Sequence, residues 1–155
     1  MTHRRRLLPD EAATLALGRE LSTGLAPGTV IHLQGDLGAG KTTLVRGLLR
    51  GLGFEGRVKS PTFSLVELYE VSKLSLYHFD FYRFDDPGAW LDAGFGDCFD
   101  GTHVCCIEWP GKAGGTLPAA DLEVRLEPAP GAGRQVWMEA RSTKGERCLE
   151  GLHPD

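Results

Sequence analysis

The residues best suited to chemistry lie in the stretch GDLGAGKTT, which runs from Gly35 to Thr43. It fits the pattern G-x-x-x-x-G-K-[ST], whose glycines let backbone N–H groups point at phosphate oxygens. In this pattern Lys41 reaches the β- and γ-phosphates of a nucleotide, and the hydroxyl of Thr42 ligates Mg²⁺. Thr43 either assists the loop or packs on the first turn of the helix that follows. We predict that the nucleotide is bound by Asp36, Leu37, Gly38, Ala39, Gly40, Lys41, Thr42 and Thr43.

Two apolar stretches end in an acid, LYHFD at Asp80 and VCCIE at Glu108. If both form strands parallel to the one before the glycine-rich loop, both carboxylates lie at the carboxyl end of the sheet, beside that loop. One acid can then hold Mg²⁺ while the other orients a water for attack on the γ-phosphate. The spacing does not say which acid does which, and an acid that merely ends a strand is the alternative for each.

Two further positions are candidates beside the loop. In KSPTFSL, Pro61 favours an extended backbone at Ser60 and so presents Thr62 from a defined loop. Thr62 can sense the γ-phosphate and the metal there, although Ser-Pro-Thr is also ordinary turn chemistry. Trp109 follows Glu108 directly, and it either shapes the nucleotide pocket or packs at the end of its strand.

The elements that must position these residues follow from periodicity. A helix is expected after the N-cap Asp10, a strand over 29–35 and a second helix over 41–52. Further strands end near Asp80 and Glu108, with short helical turns weakened by glycines between them. DLEVRLEP and RQVWMEARS alternate and predict an antiparallel hairpin at the sheet edge. The pattern indicates an α/β fold with a mostly parallel sheet.

Composition limits the class of protein. The chain has 155 residues, 41% of them hydrophobic, which predicts one globular domain over 1–155, with 1–9 as a flexible N-terminal segment. The net charge of -4 and the absence of a dense basic patch argue against direct nucleic-acid binding. The four cysteines form no C-x-x-C pair, so they suit a reducing cytoplasm better than a disulfide framework or a zinc site. No stretch reaches membrane-spanning length.

Taken together, GDLGAGKTT, VKSPTFSLVELY, YHFDFYR and IEWP resemble the TsaE (YjeE) family of ATPases of tRNA threonylcarbamoyladenosine biosynthesis. The resemblance extends over nearly the whole chain from about Asp10, although GAWLDAG replaces a segment that is usually richer in Glu and Leu. It implies a P-loop NTPase-like, three-layer α/β/α fold and a cytoplasmic ATPase, weak by itself, that uses ATP and Mg²⁺. It also implies two protein partners, TsaB and TsaD, which transfer the threonylcarbamoyl group to tRNA; whether tRNA also touches this chain stays open.

The same resemblance implies a role for each candidate residue. Lys41 and Thr42 bind phosphate and metal, and Thr62 belongs to a loop that senses the γ-phosphate. Asp80 is the acid on the Mg²⁺ side, and Glu108 is the better candidate for positioning water.

Three rival functions share the glycine-rich loop. A small-molecule kinase usually carries an arginine-rich lid, and no such lid follows the third strand. A GTP switch requires an Asn-Lys-x-Asp stretch to read guanine, and the sequence has none. A nucleotide-gated binding module, whose hydrolysis only resets a clamp on its partners, stays open.

Overall fold

The computed structural model describes residues 2–72 and 74–154, within which a seven-stranded sheet forms the centre of the fold. In chain order its strands are β1 (His3–Leu8), β2 (Val30–Gln34), β3 (Val66–Tyr69), β4 (Leu76–Asp80), β5 (Val104–Glu108), β6 (Leu122–Pro128) and β7 (Arg134–Ala140). The helices are α1 (Glu11–Ser22), α2 (Lys41–Gly51), α3 (Ala89–Asp92) and α4 (Thr143–Glu150), with 3₁₀ turns over Phe95–Cys98 and Pro110–Ala113.

The strand order across the sheet is β1-β7-β6-β2-β5-β4-β3. Strands β6, β2, β5 and β4 are mutually parallel, whereas β7, β1 and β3 are antiparallel to their neighbours. The predicted α/β class, with a mostly parallel sheet and an antiparallel C-terminal hairpin, is confirmed. The hairpin does not lie at the edge, because β6 pairs with β2 and β1 covers β7.

Helical layers cover the two faces of the sheet unequally. Leucines of α1 and α2 and the apolar side of α4 pack on one face, against residues such as Leu33, Cys106 and Val124. On the other face, α3 and the two 3₁₀ turns cover a smaller cluster around Phe79 and Trp90. The layers are therefore α/β/α, with one layer made of short pieces, as the glycines of GAWLDAGFG predicted. Among the described residues, none of the helices combines the length and apolarity needed to cross a membrane.

The prediction of a flexible segment over 1–9 is wrong for residues 3–8, which form β1. This strand pairs with β7 from His3 opposite Glu139 to Leu8 opposite Arg134. Alternate residues of β1 face the helical layer, where Arg6 forms an ion pair with Glu20 of α1 at 3.1 Å. Three consecutive arginines are typical of a solvated segment, so the sequence of β1 gives no sign of a strand. The face of β1 that points away from the helical layer is exposed.

The loop-bearing helix α2 is held against α1 through two glycines. Gly18 and Gly47 face each other closely enough that a Cβ on either would meet backbone atoms of the opposite helix. This close approach fixes α2, and with it the glycine-rich loop at its N-terminus, relative to the sheet.

Replacing Gly47 with alanine is expected to lower the free energy of unfolding by about 1–3 kcal/mol, because the new methyl would overlap the carbonyl oxygen of Leu15. Denaturant unfolding measures the effect. Gly111→Ala is the control, since a Cβ there meets no atom within 4 Å. Equal stability of the Gly47→Ala and wild-type proteins would contradict this packing.

Candidate phosphate-binding site

The glycine-rich loop connects the end of β2 to the start of α2. Gly38 and Gly40 have φ values of 78° and 105°, a region that residues with a side chain rarely adopt, which explains why glycine stands at these two positions. Gly40 is the N-cap of α2 and has no side chain with which to cap the helix. The first N–H groups of α2 and the positive end of its dipole are therefore presented to an anion.

Lys41 lies at the base of this loop with only 4% of its surface exposed. Its Nζ donates to the carbonyl oxygen of Gly35 at 2.5 Å and lies 3.9 Å from the centre of the Trp109 ring. Burial lowers the pKa of the Lys41 amine, and the carboxylates of Glu108, Asp80 and Asp36 partly offset that effect. The amine of Lys41 therefore lies among three carboxylates, at the N-terminus of α2 that an anion would approach.

Glu108 is the acid that contacts the loop-bearing helix. Its Oε2 accepts a hydrogen bond from the Thr42 hydroxyl at 3.1 Å and lies 2.7 Å from Nε2 of His78, while its Oε1 is 3.9 Å from Nζ of Lys41. Burial alone would raise the pKa of the Glu108 carboxyl. The contacts with His78, Lys41 and Thr42 outweigh it, and the pKa is lowered.

Asp80 lies beside Glu108 but contacts a different loop. The two acids are register partners on β4 and β5. Oδ2 of Asp80 accepts a hydrogen bond from the Thr62 hydroxyl at 3.2 Å, and Oδ1 accepts one from the backbone N–H of Tyr82 at 2.9 Å. The structure therefore joins Thr42 to Glu108 and Thr62 to Asp80.

Leu65 and Trp109 are the described non-glycine residues with positive φ, at 70° and 59°. Both flank the acids: the carbonyl oxygen of Leu65 accepts from the N–H of Asp80 at 3.0 Å, and Trp109 follows Glu108. Bulky residues in this region are strained, and such strain clusters at functional sites. The ring of Tyr82 packs edge-on against Trp109, with centroids 4.9 Å apart.

A cleft of about 220 Å³ brings most of the predicted site residues together. Its lining is formed by Leu37, Gly38, Gly40, Lys41, Thr42, Thr43, Ser60, Thr62, Asp80 and Glu108. Asp36 and Trp109 border a neighbouring cleft of about 750 Å³ instead. The side chain of Ala39 is buried, and its N–H donates to the carbonyl oxygen of Asp36 at 3.0 Å.

The donors in the smaller cleft suit Mg²⁺ rather than a softer metal. The hydroxyl of Thr42 and the carboxylates of Asp80 and Glu108 are hard oxygen ligands, and Mg²⁺ is usually bound through one or two carboxylates together with substrate phosphates. Within 2–72 and 74–154, no group of three or more His, Cys, Asp or Glu residues could hold a metal by itself. These residues fit a cation that is bound partly by the protein and partly by the phosphates of a nucleotide.

Two residues that the sequence prediction omitted touch the site. His78 contacts Glu108, and Nη2 of Arg134 donates to the carbonyl oxygen of Gly38 in the glycine-rich loop at 3.1 Å. The alternation of LYHFD was a usable signal for His78, because residues two apart on a strand share a face. Arg134 is 96 residues away from Gly38 in the chain, and no local pattern connects them.

The chain is similar to known proteins over most of its length. A family model described as "Threonylcarbamoyl adenosine biosynthesis protein TsaE" matches residues 8–136. The chain is 40% identical over 147 residues to the tRNA threonylcarbamoyladenosine biosynthesis protein TsaE of Haemophilus influenzae, with 92% of each chain covered. It is 36% identical over 144 residues to the Bacillus subtilis protein of the same name, with 93% of this chain and 89% of the relative covered.

A solved structure extends the similarity to the fold. The crystal structure of Bacillus subtilis YdiB matches with a TM-score of 0.82 at 30% sequence identity, over 96% of this chain and 93% of that chain. The resemblance noted in the sequence is confirmed by these matches. The chain belongs to the TsaE family of threonylcarbamoyladenosine biosynthesis proteins.

Proposed function

We propose that this chain is a Mg²⁺-dependent ATPase that supports the N6-threonylcarbamoyladenosine modification of tRNA together with TsaB and TsaD. One observation carries the proposal: a single cleft holds Lys41, Thr42 and Glu108 against the N-terminus of α2. These groups supply a cation, a hydroxyl and a carboxylate at the place where a phosphate chain would lie. Partnership with TsaB and TsaD rests on the family to which the chain belongs.

The contacts favour roles for Glu108 and Asp80 that differ from those implied by the resemblance. Because Thr42 hydrogen-bonds to Glu108, we propose that these two residues hold Mg²⁺. The hydroxyl of Thr62 donates to Asp80, and we propose that this pair faces the γ-phosphate and the attacking water. Bound Mg²⁺ would neutralise charge on the phosphate oxygens, while Lys41 would contact the phosphates directly.

The route to tRNA and the cellular location are proposed from the net charge and the cysteines. The net charge is -4, so we propose that tRNA is reached through the partners rather than by this chain alone. The cysteines at 98, 105, 106 and 148 are free thiols, which fits a cytoplasmic protein.

ATP hydrolysis with water as the acceptor tests the proposal against its rivals. We expect the purified chain with Mg²⁺ to release inorganic phosphate slowly from ATP, and we expect excess GTP to compete weakly, since the chain has no Asn-Lys-x-Asp stretch. A screen of small hydroxyl acceptors should recover no phosphorylated product. Transfer of label from γ-labelled ATP to an acceptor would show a kinase, and equal competition by GTP would contradict ATP selectivity.

A further inference from the structure

His78 is a buried polar residue in an otherwise apolar position. Its side chain is fully buried, on the face of the sheet that packs against α1 and α2. Its neighbours on that face include Leu76, two residues earlier on β4, and Cys106, its register partner on β5. An apolar side chain would fill this place without requiring a hydrogen bond.

The contacts of His78 are asymmetric. Nε2 lies 2.7 Å from Oε2 of Glu108, whereas Nδ1 is buried and has no hydrogen-bond partner among the described residues. A carboxylate oxygen can only accept, so Nε2 carries the hydrogen of this contact. Leaving a buried polar atom unpaired is unfavourable, and such an atom in a native structure calls for an explanation. The hydrogen bond of the other ring nitrogen, Nε2, with Glu108 explains why a histidine stands here despite the unpaired Nδ1.

Oε2 of Glu108 accepts from two donors, of which only one, Thr42, lines the cleft. Thr42 also donates to this oxygen, at 3.1 Å. If the hydroxyl of Thr42 ligates Mg²⁺ through an oxygen lone pair, as the proposed function requires, its O–H donates to Glu108 only as far as the metal geometry allows. His78 has no such second task, because it lies behind the acid and away from the cleft lining. It can therefore keep the carboxylate oriented whatever position Thr42 takes toward the metal.

We propose that His78 is a positioning residue that orients the carboxylate of Glu108 through Nε2–H, so that Oε1 points toward Lys41 and the cleft. The inference rests on the proposed function and adds to it a residue that does not touch substrate. Partners behind a metal-binding or catalytic carboxylate commonly hold it in one orientation, and changing such a partner typically reduces metal affinity or activity by about 10- to 100-fold.

Variants of His78 separate positioning from packing. His78→Phe keeps a ring of similar size but removes the donor, and we expect it to lower kcat for ATP by about 10- to 100-fold with unchanged affinity for Mg²⁺-free ADP. His78→Gln places an amide N–H near the position of Nε2 and should recover most of the activity. His78→Asn, whose amide is too short to reach Glu108, should not. The matched control is His32→Phe, because His32 lies on β2 with its side chain toward the opposite face.

A purely structural His78 would give a different pattern. Its variants would lose thermal stability, the folded fraction would hydrolyse ATP at the wild-type kcat, and glutamine would rescue no better than asparagine. That pattern would overturn the proposal.

A spectroscopic test on the nucleotide-free protein does not depend on ATP hydrolysis, and its first readout, on the wild-type protein, needs no variant. ¹⁵N NMR of the histidine rings should show His78 with hydrogen on Nε2, and Glu108→Ala should shift this signal, while Glu70→Ala should not. A bare Nε2, or signals unaffected by Glu108→Ala, would refute the positioning role. If the nitrogen signals agree but wild-type protein hydrolyses no ATP, the proposed function fails while the His78–Glu108 contact stands.

Discussion

Lys41→Ala is expected to remove ATP hydrolysis and to weaken nucleotide binding by about 10- to 100-fold, the value of one hydrogen bond between charged groups. Lys41 is the lysine at the base of the glycine-rich loop, and its Nζ lies among Gly35, Trp109 and Glu108. Without this cation, phosphate entering the cleft would meet the carboxylates of Glu108 and Asp80 with less compensation. Titration calorimetry with ADP and a phosphate-release assay measure the two effects.

The control for this variant is Lys144→Ala, which removes a lysine of α4 on a different part of the molecule. Thermal unfolding of both variants separates loss of binding from loss of fold. Wild-type affinity for ADP in a folded Lys41→Ala protein would contradict the role of the loop as a phosphate site.

Replacing the two acids with their amides should produce different defects. Glu108→Gln is expected to remove the increase in ADP affinity that Mg²⁺ causes and to lower ATP turnover roughly 100-fold or more, because a metal ion contributes several kcal/mol to stabilising the transition state. Asp80→Asn should keep the Mg²⁺ effect on ADP affinity but lower turnover, since the amide has one accepting oxygen where the carboxylate uses two, one for Thr62 and one for Tyr82. ADP titrations with and without Mg²⁺ distinguish the two.

Glu70→Gln, on the exposed residue just after β3, controls for the loss of one carboxylate charge. If Asp80→Asn abolishes the Mg²⁺ effect while Glu108→Gln retains it, the assignment drawn from the Thr42–Glu108 contact is reversed. In that case the division implied by the family resemblance, with Asp80 on the Mg²⁺ side, is the correct one.

Much of the geometry of the candidate site was predictable, because its residues either are contiguous in the chain or end parallel strands. The glycine-rich loop is encoded in one contiguous stretch, and Lys41 and Thr42 lie where the pattern places them. Asp80 and Glu108 meet because both end parallel strands, whose carboxyl ends share one edge of the sheet.

The pairing of each acid with its hydroxyl was not predictable, because it depends on the order of strands across the sheet. β5 lies between β2 and β4, so Glu108 is nearer to the loop that follows β2 than Asp80 is. Periodicity within the chain carries no information on that order. The contact between Arg134 and Gly38 was not predictable for the same reason. It forms only because β6 and β7 extend the sheet beyond β2.

The two ends of the chain were the least predictable parts of the fold. β1 presents half of its residues to solvent, so three arginines mask its alternation. α4 begins at Thr143 after the N-cap Ser142, whose hydroxyl also donates to Asp121 at 2.7 Å. Its sequence TKGERCLE is short and polar, and its stability depends on packing against β6, β7 and α1 rather than on helix propensity.

The most direct test of the central claim is steady-state ATP turnover by the chain alone and then with TsaB, TsaD and tRNA. We expect a slow rate alone, a clear rise in the full mixture, and no activity in either condition for Lys41→Ala. A nucleotide-gated clamp would instead bind ATP and the partners with turnover that stays negligible. A rate that TsaB, TsaD and tRNA leave unchanged would contradict a partner-activated ATPase in tRNA modification.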